Sequence, residues 1–184
     1  MNPSAQAEAS KPELADVLFS KGAMPVFAVL DGASAPGLVK SLYEHEPEYC
    51  CLYRGELQPD IATVAPYLVR LEAGAEFAQL VLREGWGAHW GIFVVSAANL
   101  RVLRDHFREF HMVELPDQRT VIFRYYDPRV LASFLPACNA DELAAFFGPV
   151  QSFVTEAETP DAGVKFSIAA KALKLDRFQL KQPS

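Results

Sequence analysis

The run MPVFAVLDGA, residues 24–33, decides the fold. Seven uncharged residues, with valines at positions 26 and 29, lead into Asp31-Gly32-Ala33. An apolar, β-branched run of this length, ended by turn residues, reads as a buried strand. Ser34 is placed to cap a following helix with Pro36 in its first turn, Leu38 and Leu42 facing the core and Pro47 ending it. Further on, residues 50–54 (CCLYR) read as a second strand closed by Gly55. Pro66 opens PYLVRLE, where alternation puts Tyr67, Val69 and Leu71 on one face.

The spacing of Phe77, Leu80 and Val81 predicts a helix over 75–84, with Gly85 as its stop. WGAHWGIFVV, residues 86–95, reads as a turn feeding the most buried strand. Ser96 then stands where a cap belongs, before a helix with an apolar stripe of Leu100, Leu103, Phe107 and Phe110. Arg101, Arg104 and Arg108 occupy the opposite face, interspersed with Asp105 and Glu109, which is the pattern of a solvated face or an anion site. Residues 112–115 and 120–126, joined by a Pro-Asp-Gln turn, read as a β-hairpin. A helix is expected over 128–135. A second starts at Asn139 with Glu142 completing a capping box, and Gly148-Pro149 ends it. Residues 150–154 form a last candidate strand, 155–163 a loop, and the stretch from Lys165 has no clear period. Elements alternate early and cluster late, so the expected class is α/β (α+β mixed), a mixed β-sheet with helices packed against it.

At 184 residues, 51% hydrophobic and 22% charged, the chain has the make-up of a globular domain. Its net charge of -6 argues against a nucleic-acid or anionic-membrane partner. No apolar run approaches the ~20 residues of a membrane span. The opening MNPSAQAEASKP lacks the basic start and apolar core of a secretory signal, so a flexible tail over 1–23 and a cytoplasmic setting are expected. The three cysteines, Cys50, Cys51 and Cys138, do not make a disulfide framework and read as reduced, small apolar residues.

Motifs for chemistry are sparse. The four histidines form no His-x-x-x-His pair, and Cys-x-x-Cys, Gly-x-Ser-x-Gly, phosphate-loop and dinucleotide signatures do not occur. No metal or cofactor is therefore expected. Asp31, at the carboxyl end of a strand, stands where α/β enzymes place catalytic carboxylates, but no acidic companion is spaced to join it. The stretch FRYYDPRVL, residues 123–131, is denser. Its Arg124, Asp127 and Arg129 tempt a catalytic reading, yet Asp127 is a good N-cap and Pro128 suits the first helical position. Strand alternation sets Val121, Phe123 and Tyr125 against Ile122, Arg124 and Tyr126. Arg124 then sits among apolar neighbours and needs a partner such as Asp127, Glu72 or Asp31. No nucleophile is supplied, so Asp31, Arg124, Asp127, Pro128 and Arg129 read as an architectural join.

Taken in order, FAVLDGA (27–33), LYRGEL (52–57), APYLVRL (65–71), Trp-Gly with a later Ser96 before a helix, the helix carrying His106, FRYYDPRVL and FFGPV (146–150) form a specific set. On these landmarks the chain resembles the type VI secretion effector adaptors, also called effector chaperones, long catalogued as a conserved domain of unknown function. The resemblance implies a non-enzymatic cytoplasmic adaptor that binds one toxic effector and promotes its loading onto the spike (valine-glycine repeat) protein, sometimes with a PAAR tip. It implies an adaptor domain over 24–155, with 156–184 a short C-terminal extension or a reduced second lobe. A docking face needs aromatic anchors and a charged rim. Trp86 and Trp90 are the candidate anchors, and Arg101, Arg104 and Arg108 the candidate rim. The alternatives are an immunity or other toxin-interaction protein, or a small hydrolase using Asp31 with Arg124 and Asp127.

Overall fold

A computed structural model describes residues 12–20, 22, 24–114 and 117–181. In chain order the strands are β1 (Val26–Asp31), β2 (Tyr49–Cys51), β3 (Pro66–Leu71), β4 (Gly91–Val95), β5 (Met112–Glu114), β6 (Thr120–Ile122), β7 (Ser152–Glu156), β8 (Ala162–Ala169) and β9 (Ala172–Gln179). Seven of them form one sheet in the order β2-β3-β1-β4-β7-β8-β9, and β5-β6 is a separate ribbon. All pairings are antiparallel. The helices are α1 (Leu14–Leu18), α2 (Leu38–His45), α3 (Pro59–Val64), α4 (Glu76–Leu80), α5 (Leu100–Glu109), α6 (Pro128–Phe134) and α7 (Ala140–Phe147). The expected α+β class, helices packed against a β-sheet, is the observed one, but the sheet is antiparallel throughout and not mixed.

The opening run explains the layering. Every residue of β1 is buried. Val26, Ala28 and Leu30 pack with Leu14, Leu38, Leu42, Phe77 and Val81, which come from α1, α2, α4 and the turn after α4. Phe27 and Val29 point the other way, toward Leu103, Phe107, Leu131 and Phe146 from α5, α6 and α7. Antiparallel sheets commonly leave one face wet; here helices cover both, and an unbroken apolar strand is the consequence. Cys50 and Cys51 follow the same alternation, packing on opposite faces of the sheet.

Several local expectations need correction. The flexible tail expected over 1–23 lies mostly outside the described residues, but Leu14–Leu18 is a helix with both end leucines buried. Ser34 does not cap α2, which starts after Gly37 in the left-handed region (φ 76); its hydroxyl instead donates to Asp31. Helix α4 loosens into a π turn over Val81–Gly85. Asn99, not Ser96, caps α5 by accepting the Val102 N–H at 3.0 Å. Ser96 donates to the Pro149 carbonyl at 2.7 Å, fastening the exit of β4 to the turn after α7. The second hairpin strand stops at Ile122, so the alternation read through Tyr126 fails and Tyr125 and Tyr126 are both buried. Leu115 of its first strand and Pro116 of its turn lie outside the described residues. The unassigned stretch from Lys165 belongs to a hairpin, β8-β9, that extends the sheet beyond β7.

The Asp-Pro helix start is as read. Asp127 accepts the Arg129 N–H at 2.9 Å, and Pro128 takes the first position of α6. Burial alone would raise the Asp127 carboxyl; hydrogen bonds from the Arg129 side chain and backbone outweigh it and hold it below the usual aspartate value. A carboxyl lowered by folding adds stability above its unfolded pKa of about 3.9, and that stability is lost as the pH falls through the folded value. Asp127→Ala is therefore expected to cost about 1 kcal/mol in urea unfolding at neutral pH. The gap to the wild type should close in acid.

Candidate functional site

Where the sheet ends at β2, the chain turns away through Leu52, Tyr53 and Arg54. Arg108, on α5, holds this exit by donating to the carbonyls of Cys51 (2.9 Å), Leu52 (3.2 Å) and Tyr53 (3.0 Å). The β5-β6 ribbon rises beside it. Between them lies a groove of about 360 Å³, walled by Leu52, Tyr53 and Leu57 on one side and by Met112 and Ile122 on the other, with Arg54, Arg108 and His111 completing the lining. Met112 and Ile122 are direct cross-strand partners, and each is about half exposed (53% and 49%). The groove thus has an apolar shelf and a cationic rim.

His111 is only 7% exposed, and neither of its ring nitrogens has a hydrogen-bond partner among the described residues. Tyr53 meets its ring edge-on at 4.8 Å, and Tyr126 stacks on it at 6.2 Å. Burial lowers its pKa and favours the neutral ring. Two unpaired buried nitrogens should cost stability. His111→Phe, which keeps the aromatic packing, is expected to stabilise the fold by about 1 kcal/mol at neutral pH. A histidine whose pKa is lowered by folding also destabilises in acid, because the unfolded chain takes up the proton first. Below about pH 6.5 the advantage of His111→Phe over the wild type should therefore widen, as thermal melts across pH would record.

Behind the groove, Asp31 ends β1 with its N–H donated to the Trp90 carbonyl at 2.7 Å. Its buried carboxylate accepts from the Ala33 N–H (3.1 Å), the Ser34 hydroxyl (2.9 Å) and the Arg124 guanidinium. Among the partners weighed from sequence, Arg124 thus takes Asp31. Arg124 is not enclosed by apolar neighbours as alternation implied; its side chain is 47% exposed. Tyr53 and Tyr126 lie alongside, and burial chiefly pushes the Tyr126 phenol up, keeping it protonated. FAVLDGA, LYRGEL and FRYYDPRVL, far apart in sequence, therefore converge here. Both Asp31 oxygens are engaged in the turn and the ion pair, and Asp127 is engaged by Arg129 at 2.7 Å. The join holds the groove's back wall together.

The two tryptophans belong elsewhere. Trp90 is buried against Gly85 and offers no docking surface in this conformation. Trp86 is half-buried, stacks on Phe178 at 6.3 Å and donates its indole N–H to the Pro160 carbonyl at 2.7 Å. Buried Glu156 accepts the N–H groups of Gly87 and His89 and faces the His89 ring. Together these contacts latch the 86–90 turn onto the β7-β8 connection. Of the arginine stripe, Arg101 is exposed, Arg104 pairs with its neighbour Asp105 at 2.8 Å, and only Arg108 reaches the groove. The residues that sequence reasoning missed as site formers are Tyr53, Arg54, Leu57, His111, Met112 and Ile122. Three of these lie within LYRGEL, which was the available signal; the ribbon residues had none.

Among the described residues no group of three or more His, Cys, Asp or Glu side chains could hold a metal ion. Burial pushes the Cys50 thiol up to about 11 and raises Cys51 as well, so neither is an activated nucleophile. No described helix is long and apolar enough to cross a membrane. A family model, "Domain of unknown function (DUF4123)", matches residues 26–145. No curated protein and no solved structure matches the chain.

Proposed function

Because the chain belongs to the DUF4123 family, we propose that it is a cytoplasmic adaptor that binds a type VI secretion effector and promotes its loading onto the spike protein, with or without a PAAR tip. One observation carries the reading: LYRGEL, a landmark of the adaptor resemblance, lines a groove with an apolar shelf and an arginine rim, and its Tyr53 lies near the Asp31–Arg124 pair that joins two further landmarks. Such a surface suits recognition of another protein, where apolar contact supplies affinity and charge supplies selectivity. A loading factor must also release its cargo. A shallow groove with a few half-exposed apolar residues fits a modest, exchangeable contact better than a permanent interface does.

The test is genetic and biochemical together. The chain should co-purify with an effector encoded beside it, and deleting its gene should stop that effector from reaching the spike. Delivery that persists after deletion would overturn the reading. Protection of a susceptible cell by the chain alone would move it to the immunity class. Turnover abolished by Asp31→Asn or Asp127→Asn would move it to a hydrolase.

A further inference from the structure

We propose that the groove between the β2 exit and the β5-β6 ribbon receives a short apolar segment of a partner protein that carries a carboxylate next to its buried side chain. The proposal rests on the adaptor reading only for the identity of that partner, an effector.

Three features select this occupant. Met112 and Ile122 sit side by side on the ribbon and are half exposed, an apolar shelf with no cover among the described residues. An apolar side chain laid on it removes that surface from water. His111 lines the same groove, more than nine-tenths buried, with both ring nitrogens unpartnered among the described residues. A neutral imidazole presents one donor and one acceptor. Both nitrogens are shielded from solvent in this conformation; once the ring turns toward an occupant, a peptide group supplies the complementary carbonyl and N–H, whereas a fatty-acid carboxylate supplies acceptors alone. The rim gives the charge preference. Arg54 is exposed, Arg108 spends its donors on backbone carbonyls, and neither forms a salt bridge among the described residues. On a chain of net charge -6, this positive rim is a local exception that favours an acidic neighbour to the apolar anchor.

The experiment titrates the full chain with labelled synthetic peptides and follows anisotropy together with the His111 ring resonances. The probes are Gly-Ser-flanked Asp-Leu-Leu-Asp, Lys-Leu-Leu-Lys and Asp-Ser-Ser-Asp peptides, and octanoate. The acidic leucine peptide should bind best and shift the His111 ring. Arg54→Glu should weaken it about tenfold and turn preference toward the lysine peptide. Ile122→Asp, at a half-exposed position that tolerates charge, should abolish binding while leaving the melting temperature near the wild-type value. Equal binding of the peptides, unchanged binding by both variants, or no binding at all would overturn the proposal. Preferential binding of octanoate would also overturn it, in favour of an amphiphile. Effector co-purification separates the two levels. If Arg54→Glu and Ile122→Asp lose the peptide yet keep the effector, the groove proposal fails and the adaptor reading stands. If the wild type binds the peptide but no effector, the adaptor reading fails and the groove's peptide preference stands.

Discussion

Phe146→Ala is expected to cost about 4 kcal/mol of folding stability, the larger of the two major losses predicted for this chain. Phe146 is 1% exposed on α7, and four aromatic rings surround it: Phe110 at 5.1 Å, Phe134 at 5.1 Å, Phe153 at 5.4 Å and Tyr125 at 5.8 Å. These come from the end of α5, from α6, from β7 and from the segment entering α6. Removing the ring therefore strips contacts from α5, α6 and β7 at once. The neighbours are themselves interlocked, with Phe123 against Phe134 at 4.8 Å and Phe107 stacked on Tyr125 at 5.7 Å, so collapse into the void is obstructed. The carbonyl of Phe146 also meets the His106 ring nitrogen at 2.8 Å, tying α7 back to α5. Urea unfolding should lower the midpoint with an unchanged slope. A loss below about 1.5 kcal/mol would mean that the surrounding rings do repack, and the rigid-cluster argument would fall.

How much of this was legible beforehand depends on how local the cause was. The Asp127-Pro128 and Asn139–Glu142 helix starts were readable, because a cap is a contact between residues two or three apart. The β1 strand was readable because its burial is written into an unbroken apolar run. The β8-β9 hairpin was not. Its two-residue turn uses Ala170 and Lys171 in the left-handed region (φ 50 and 63), without the glycine or asparagine that normally announces such a turn. The site was legible only as fragments. LYRGEL and FRYYDPRVL were singled out as stretches, yet nothing in sequence separation places Tyr53 beside Tyr126 or His111. The tryptophans were conspicuous by type, and the fold uses their large rings as packing for the 86–90 turn.

The position of the groove follows from the sheet's own geometry. Helices cover both faces over β1, β3 and β4, but β2 is a three-residue edge strand, and the chain leaves it before a helix can cover the corner. An edge carries unpaired backbone groups that must be satisfied or hidden. Arg108 satisfies the carbonyls at the exit, and the ribbon stands beside them without closing over. The same guanidinium that repairs the edge thereby brings charge to the groove. Structure and recognition are coupled through one side chain, which is why Arg108→Ala is a poor probe of binding and Arg54→Glu a clean one.

Gly91→Ala is the second large loss expected, about 3 kcal/mol or more. Gly91 opens β4 directly opposite Leu30 of β1. A Cβ there would overlap the Val29 carbonyl oxygen, with the Leu30 Cα only 3.0 Å away; both are backbone of a fully buried strand and cannot swing aside. The residue was unreadable as a requirement, since the crowding comes from a strand sixty positions upstream and not from its own turn. Gly37→Ala provides the contrast. It has a left-handed φ of 76 but nothing within 4 Å of an added Cβ, so only the backbone strain of about 1 kcal/mol is expected. The difference between the two substitutions isolates cross-strand crowding from conformational cost. It also reaches the site, because the Trp90 carbonyl next to Gly91 accepts the Asp31 N–H and so sets where the Asp31–Arg124 pair stands. If Gly91→Ala folds at all, Asp31 should shift with it and peptide binding in the groove should weaken. Equal stability losses for the two glycine variants would show that β1 and β4 are free to move apart, and the rigid back wall ascribed to the groove would be lost.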